Sequence, residues 1–181
     1  MADDIKDRRA RRTQRALKDA LLRSIEKKSI SKITVAQLCE QADIGRGTFY
    51  LHYQDIYELM EQIEDEILGE IEQRVSGPFL FEEAVVSCCK FGIEHPGLKA
   101  ILRSPECSRS FADRFIDHFE SRLIAPESTL ADHYRVRFML TGSFEIMRLW
   151  AREGTNTPPE KLAETVIDIL GQRLVGRPEE D

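Results

Sequence analysis

The sequence predicts an all-α protein, with an N-terminal three-helix domain built around a helix-turn-helix and a larger helical body that dimerises. Apolar residues recur at every third and fourth position along the chain, as on one face of a helix. No stretch combines alternating apolar residues with turn signals at the spacing of strands. A break at 42–45 separates two short helical segments, which is the spacing of a tight corner between helices.

Cap and corner signals place the N-terminal helices. We expect the first helix over 13–27, with one apolar stripe at Ala16, Leu17, Ala20, Leu21, Ser24 and Ile25. Thr34 is a good N-cap for the second helix, and Gln37 completes a capping box three residues later. This helix ends near residue 41, and the third helix runs over 46–51 after the corner.

The fourth helix is the most clearly marked element. Asp55 caps it, with Glu58 at the position of the capping box. Its apolar stripe comprises Ile56, Leu59, Met60, Ile63, Ile67, Leu68 and Ile71. The first turns of this helix must pack on the N-terminal domain and its later turns on the body. We expect it to end at Ser76-Gly77-Pro78.

The body should contain further helices at 79–93, 98–102, 108–124 and 129–153, and a last helix opened by a capping Thr157 with Pro at the first helical position. The helix at 129–153 has apolar residues spread too widely for one stripe, which predicts two buried faces: Tyr134, Phe138, Leu140, Phe144, Met147 and Trp150. The seam of the last helix is formed by Leu162, Val166, Ile169, Leu170 and Leu174.

Composition is typical of an ordinary globular protein. Of 181 residues, 41% are hydrophobic and 32% charged. No apolar run approaches the roughly 18 to 20 residues of a membrane helix. Residues 1–12 are charged and lack the apolar segment of a secretory signal, so we expect a cytoplasmic protein without a membrane partner.

The four cysteines show neither a CxxC pair nor the spacing of a zinc site: Cys39, Cys88, Cys89 and Cys107. They fit a reducing compartment, with no metal or other cofactor. Cys88 and Cys89 adjoin one another on a helix, where they are either packing residues or redox sensors.

The charge is divided unevenly along the chain. Residues 1–53 contain 12 Lys and Arg against 7 Asp and Glu, a balance of +5, whereas residues 54–181 contain 14 against 25, a balance of −11. A basic head on an acidic body is expected when only one end of a protein meets phosphate. A solvated basic face would show the same pattern.

One segment resembles a known family in order and spacing. The string Gly45-x-Gly47-Thr48-Phe49-Tyr50-x-His52-Tyr53, with the helix before it and the capped helix after it, is similar to the N-terminal domain of the TetR family of repressors. The detailed resemblance covers residues 8–68, and the remainder matches only in helix count and layout. It implies a DNA-binding domain at 8–68 and a ligand-binding and dimerisation domain at 69–176.

The resemblance also implies a function. Such a protein is a sequence-specific transcriptional regulator, a repressor that a small-molecule effector releases from a pseudo-palindromic operator. It is a homodimer, in which the last two helices of each subunit form a four-helix bundle. Here these would be the helices at 129–153 and 157–174, whose broad apolar surface exceeds what one subunit buries, although internal packing stays open for each residue.

The third helix is the candidate recognition helix, because its start carries short or polar groups that let a backbone approach the major groove. Arg46 suits a guanine edge or a phosphate, unless it is simply a solvated arginine. Gly47 adds no bulk, and Thr48 and Tyr50 offer hydroxyls to phosphates. The resemblance assigns phosphate contacts to the positions of Tyr50 and His52. Phe49 and Tyr53 should pack in the core.

A second set of contacts should come from the start of the second helix. Lys32 precedes Thr34 and Val35, whose backbone amides lie at a helix N-terminus and can clamp a phosphate. A basic arm at 8–12 is either a disordered tail or a segment that reaches into a minor groove.

Three positions depart from the pattern of the family. Asp43 replaces the usual Gly of the turn, and Gly45 replaces the usual Ser at the N-cap of the recognition helix. Both residue types tolerate those conformations. Ile56 stands where the family commonly has a basic residue, which removes one expected phosphate contact.

The rival functions have weaker support. HExxH, Walker and nucleophile-elbow motifs are absent, which argues against an enzyme. A TetR-like co-activator or adaptor that acts by protein contact is the alternative that Ile56 leaves open.

The sequence does not name an effector. The first aromatic and polar residues to consider around a pocket are Phe91, His95, Phe115, His118 and Trp150, each of which could equally be a packing or surface residue.

Overall fold

The computed structural model describes residues 2–75, 81–154 and 156–174, and side chains within 8–75, 83–154 and 156–169. Over these ranges the regular elements are helices, and the predicted all-α class is confirmed. They are α1 (Ala2–Ile25), α2 (Val35–Ala42), α3 (Arg46–Tyr50), α4 (Ile56–Val75), α5 (Phe81–Glu94), α6 (Pro96–Arg103), α7 (Pro105–Leu123), α8 (Leu130–Glu153) and α9 (Pro159–Leu174), with a short 3-10 helix at Ile30–Lys32.

The first helix begins eleven residues earlier than predicted. α1 starts at Ala2, so the basic arm at 8–12 is helical and the alternative of a disordered tail is wrong. No Gly or Pro interrupts residues 2–25, and Arg and Ala are strong helix formers. The apolar periodicity begins only at Ala16, because residues 8–15 place no fully buried side chain in the core. A periodicity argument therefore misses an exposed helix.

The helix-turn-helix forms through the local signals that predicted it. The N–H of Gln37 donates to Thr34 Oγ1 at 3.3 Å, and the N–H of Thr34 donates to Gln37 Oε1 at 3.3 Å, so the capping box of α2 is confirmed. Asp43 takes the left-handed conformation at φ 54° and ψ 47°, a conformation that Asp tolerates better than most residues. Gly45 is the N-cap of α3, as expected.

α4 belongs to both parts of the molecule. All seven apolar residues of its predicted stripe are buried, from Ile56 in the first turn to Ile71 near the end. They join one continuous core that includes Leu17 of α1, Phe49 of α3 and Phe111 of α7. The predicted domain boundary at residue 68 falls within this helix and stays a prediction, and the predicted stop at Ser76-Gly77-Pro78 lies outside the described residues.

α6 reaches the N-terminal domain through a close contact. A Cβ added to Gly97 would lie 3.2 Å from Leu22 Cδ1 of α1 and 3.0 Å from His95 Cε1. His95 is the N-cap of α6, and its Nδ1 accepts a hydrogen bond from the N–H of Leu98 at 3.0 Å. The absence of a side chain at Gly97 therefore permits the approach of α6 to α1.

α8 has two apolar faces, of which the chain buries one among the described residues; burial of the second stays a prediction. On the inner face Phe144, Trp150 and Ala151 are buried. The outer face of α8, formed by Leu130, Tyr134, Phe138 and Leu149, leaves each of these side chains half exposed or more.

The predicted start of α9 is wrong by one residue. The N–H of Leu162 donates to the carbonyl of Pro158, which makes Pro158 rather than Thr157 the N-cap. Leu162, Ala163 and Val166 pack against Val85 and Cys89 of α5. The side chains of Leu170 and Leu174 lie outside the described residues.

A buried carboxyl interrupts the apolar face of α4, between Met60 and Leu68. Glu64 is 1% exposed, and its Oε2 lies 3.2 Å from Arg114 Nε of α7. Its Oε1 has no hydrogen-bond partner among the described residues. Burial raises the pKa of Glu64 from 4.5 to about 7, although the charge of Arg114 opposes that shift.

This carboxyl makes stability depend on pH. Because its folded pKa lies above the unfolded value, its contribution is fully present below pH 4.5 and is lost as pH rises through about 7. The shift corresponds to on the order of 3 kcal/mol. We therefore expect Glu64→Gln to be more stable than the wild type at pH 8 and little changed at pH 4.5. Urea denaturation at both pH values measures this difference.

Glu83→Gln, at an exposed position on α5 whose charge is not among the causes of the raised Glu64 pKa, is the control and should leave the pH dependence as it is. A Glu64→Gln protein that keeps the wild-type difference between the two pH values would show that Glu64 does not cause it.

Candidate nucleic-acid interface

The predicted DNA-contacting residues fall into two groups. Lys32, Thr34 and Val35 lie at the N-terminal end of α2, and the others lie on or just after α3: Arg46, Gly47, Thr48, Tyr50 and His52. In the chain the two groups are separated by α2, whose eight residues span about 12 Å at 1.5 Å per residue. Thr48, Val35 and His52 are partly buried, and the other five residues are exposed.

α3 has one anchored side and one open side. Phe49 is fully buried, and Tyr53 just beyond the helix is also buried, so the predicted core roles of both are confirmed. On the open side Arg46 is exposed, and Tyr50, one turn later, is 58% exposed. The rings of Tyr50 and Phe49 meet edge to face with centroids 5.4 Å apart. This contact with the buried phenylalanine orients the exposed ring of Tyr50.

The glycine of α3 is not required by packing within the chain. A Cβ added to Gly47 would meet no atom within 4 Å. Its backbone is instead exposed beside Arg46. A helix that leaves bare backbone on its outer side permits a close approach by another molecule.

The start of α2 uses part of its backbone amides within the chain. Its capping box already uses the amide of Gln37 and the amide of Thr34. Since the first amides of a helix have no partner within it, those of Val35 and Ala36 are left for an external acceptor. Of the two amides predicted to hold a phosphate, that of Thr34 is therefore used within the chain and that of Val35 is left. The amide of Ala36 joins it.

Two exposed residues beside α3 were missed by the sequence reasoning. Leu51 is 82% exposed between Tyr50 and His52, and Tyr57 is half exposed in the first turn of α4. The exposure of Leu51 could have been predicted from the sequence, because this residue lies between Phe49 and Tyr53 and outside the buried face that they form. Ile56 is buried, so this position adds to the core rather than to the surface.

Two of the five residues first considered around a pocket, Phe115 and Trp150, line a small pocket of about 10 Å³ together. Phe115 lines a cavity in the body. His95 caps α6, and Phe91 stacks on it with ring centroids 4.8 Å apart. His118 Nε2 lies 3.2 Å from Glu72 Oε2, and Trp150 Nε1 donates to the Thr157 carbonyl at 3.0 Å. Four of the five therefore serve packing, capping or pairing within the chain.

The cysteines are neutral thiols with packing roles. Burial raises the pKa of both Cys88 and Cys89 to about 12. Burial also raises the pKa of Cys39, against the charge of nearby Arg46. Among the described residues no group of His, Cys, Asp or Glu side chains could hold a metal ion. Over the same part of the chain no helix is long and apolar enough to cross a membrane.

A helix-turn-helix joined to a helical body through a shared helix defines the architectural class of this protein. Among solved structures it is similar to a TetR transcriptional regulator from Streptococcus agalactiae, with a TM-score of 0.69 and 22% identity over 93% of this chain and 98% of that one. It is also similar to the fatty acid degradation regulator FadR from Bacillus halodurans, with a TM-score of 0.67 and 14% identity over 91% and 97%. The chain therefore has the fold of TetR-family transcriptional regulators, and the resemblance stated from the sequence is confirmed at this level.

A curated protein is similar along most of the chain. It is the HTH-type transcriptional regulator YxbF of Bacillus subtilis, 24% identical over 172 residues that cover 87% of this chain and 44% of that protein. The chain thus spans less than half the length of this relative. No family profile matches the chain.

A substitution at Gly47 tests the stability of the fold and the contact with DNA separately. Because there is room for a methyl group, we expect Gly47→Ala to raise the free energy of unfolding by about 0.5 kcal/mol. We expect the same change to weaken DNA binding at least tenfold, since the methyl group would stand between the helix and the groove. Thermal unfolding and a DNA-binding titration measure the two effects.

Gly69→Ala is the control, because it lies on α4 with equal room for a Cβ. It should gain stability without losing DNA affinity. DNA affinity that stays at the wild-type value in Gly47→Ala would show that the groove does not approach this backbone.

Proposed function

We propose that this protein is a sequence-specific DNA-binding transcriptional regulator that uses α3 as its recognition helix. The observation that carries the proposal is the open side of α3, where Arg46, Gly47 and Tyr50 are exposed on a helix anchored by Phe49. Similarity in fold to TetR-family regulators and in sequence to a helix-turn-helix regulator supports it. So does the basic charge of residues 1–53 on an otherwise acidic chain.

Each predicted contact residue has a distinct part in this proposal. Arg46 reads a base edge, and Gly47 lets the helix backbone approach it. Thr48, Tyr50 and His52 donate to phosphates and fix the register of α3. Lys32 and the first amides of α2 hold a second phosphate. The exposed arginines at the start of α1, Arg9 and Arg12 among them, add salt-dependent affinity.

The active form in this proposal is a homodimer. The outer face of α8 and exposed Ile169 of α9 present apolar surface that the described residues do not cover. Two copies that bury this surface against each other form an isologous interface. Two recognition helices about 34 to 36 Å apart then meet successive major grooves of a pseudo-palindromic operator.

In this proposal a small molecule regulates the protein by moving α4. Its first turn packs on the N-terminal domain through Ile56, and its last turns pack on the body through Ile71. A ligand in the body that tilts α4 changes the separation of the two recognition helices. Affinity for the operator then falls by the difference in ligand affinity between the two states. The protein acts as a repressor in the cytoplasm in this proposal.

The test is a salt-titrated DNA-binding assay on duplexes selected from a random library. A regulator gives a sequence-specific complex whose affinity falls steeply as salt rises. An adaptor that works by protein contact gives no sequence-specific complex at any salt concentration, and that result would refute the proposal in favour of this alternative.

Mutations should distinguish the residue that reads a base from the residues that contact phosphates. We expect Arg46→Ala to relax sequence preference, because a good base contact is worth about 1 to 3 kcal/mol of discrimination. We expect Tyr50→Phe and His52→Ala to weaken binding nearly uniformly, because phosphate contacts position without specifying. Binding to the selected operator and to random duplex measures both effects. Equal losses on the two duplexes for Arg46→Ala would place that arginine on a phosphate.

The proposed interface predicts a monomeric variant. We expect Phe138→Glu to give monomers, since it places a charge in the middle of the outer face of α8. Sedimentation measures the oligomeric state. Leu123→Glu is the matched control, since Leu123 on α7 is 60% exposed against 62% for Phe138. A Phe138→Glu protein that sediments as a dimer would move the interface elsewhere.

A further inference from the structure

A histidine lies where the body meets the N-terminal domain. His95 is the N-cap of α6, and its ring and Leu22 of α1 both lie close to the bare backbone of Gly97. The same ring stacks on buried Phe91 of α5, with centroids 4.8 Å apart. The state of this one side chain therefore affects the start of α6 and its approach to α1.

His95 caps α6 only while its imidazole is neutral. The N–H of Leu98 donates to Nδ1 of His95 at 3.0 Å, so Nδ1 carries a lone pair and the ring proton is on Nε2. In the imidazolium both ring nitrogens carry protons, and neither accepts a hydrogen bond. A proton on Nδ1 would face the N–H of Leu98 and place a positive charge at the positive end of the α6 dipole. Protonation therefore converts the cap into a repulsive contact.

A proton can reach this ring from solvent without unfolding of the chain. The side chain of His95 is 26% exposed and borders an open groove of about 550 Å³ between α1, α4 and α6. The charged side chains that line the groove with it are Arg11, Arg15, Lys18, Asp19, Glu66 and Glu70. Three cations thus stand beside three carboxylates, and Lys18 and Glu66 pair with each other.

The charges nearest to the ring act in opposite directions. Glu70 Oε2 lies 3.8 Å from His95 Nε2 and favours the imidazolium. Arg74 lies over the ring of Phe91, with its guanidinium carbon 4.7 Å from the centroid, and pairs with Glu94 of α5 at 3.9 Å. Burial is the largest effect and lowers the pKa of His95 below its ordinary value of 6.5, with Arg74 acting in the same direction and Glu70 against it.

We propose that His95 is a pH-sensitive latch between the body and the N-terminal domain, through which acidification regulates DNA binding. The neutral ring caps α6 and holds it against α1, and protonation of Nδ1 opens this contact. His95 acts through α6 and is therefore a positioning residue. Its effect on DNA binding rests on the proposed function.

The pH range of the latch follows from the sign of the shift. Because the folded pKa of His95 lies below the unfolded value, the stability that its neutral form contributes is fully present above about pH 6.5. This stability is lost as pH falls from there toward the folded pKa. Mild acid is therefore the condition that opens the contact of α6 with α1.

An open latch lowers operator affinity because it loosens the position of α3. The N-terminal domain is joined to the body by α4 and by the approach of α6 to α1 at Gly97. Without the second connection, the two recognition helices of a dimer sample more separations, of which only one fits the operator. The apparent affinity falls with the fraction of molecules that keep this separation.

The latch is tested first on the full-length protein without DNA, by NMR. The Cε1 proton of His95 should titrate below 6.5 in the wild type. Between pH 7.5 and pH 5 the hydrogen-exchange protection factor of the Leu98 amide should fall at least fivefold, because loss of an N-cap weakens a helix by about that factor. A constant protection factor in the wild type would overturn the latch.

The variant for this test is His95→Asn, since Asn caps a helix at every pH. It should keep the protection of Leu98 constant over the same range, and thermal unfolding checks that it folds. His133→Asn, which replaces a histidine on α8, is the matched control and should respond to pH as the wild type does. Protection that falls equally in His95→Asn would assign the pH response to another group.

Two neighbouring charges should move the midpoint of the response in opposite directions. Glu70→Gln removes the carboxylate that favours the imidazolium, so the midpoint should fall to lower pH. Arg74→Gln removes a cation that opposes it, so the midpoint should rise. A purely structural role of His95 predicts no such shifts, and an unchanged midpoint in both variants would overturn the electrostatic account.

Operator affinity is then measured from pH 8 to pH 5.5 for the wild type and His95→Asn. The ratio of the two affinities cancels any titration of His52, which both proteins share. The two proteins should bind equally at pH 8, and the wild type should bind about five- to tenfold more weakly at pH 5.5. A constant ratio would show that the latch does not regulate DNA binding. A protein whose latch opens but that binds no operator loses the proposed function and keeps the latch.

Discussion

Burial of one apolar stripe along α4 is the interaction on which the rest of the structure depends. From Ile56 to Ile71 this stripe packs first against the N-terminal helices and then against the body, so that one core runs through both. A helix buried at both ends cannot shift at one end without disturbing its packing at the other. The position of α3 relative to the body is therefore set by α4, together with the approach of α6 to α1 at Gly97.

The proposed recognition helix, α3, shows how packing and exposed surface divide over two sides of one short element. A helix of five residues is too short to form alone in water. α3 is held by Phe49 within the core, by its corner at Asp43 and Gly45, and by the buried ring of Tyr53. All of this support comes from one side. The other side is left with small or polar groups, and Gly47 is tolerated there because the core supplies the stability that glycine does not.

The body divides its apolar residues in a similar way over α8. Its inner face closes the core through Phe144 and borders a cavity at Ser143, while its outer face carries exposed Tyr134 and Phe138. Two kinds of buried polar group depart from this apolar scheme. Glu64 is held near Arg114 with its pKa raised, and the Ser143 hydroxyl has no partner among the described residues. Polar groups of this kind are costly to bury, and both lie beside packed helices of the body.

The sequence by itself determined those features whose partners lie within one helical turn. The capping box of Thr34 and Gln37, the corner at Asp43 and the alternation of anchored and open positions on α3 depend on contacts three or four residues apart. Tertiary structure alone decided the rest. The ion pair of Glu64 and Arg114 joins residues 50 positions apart on two helices, and the pairing of His118 with Glu72 depends on which helices meet. Such pairings leave no periodic signal, because their energy exists only after the helices have packed.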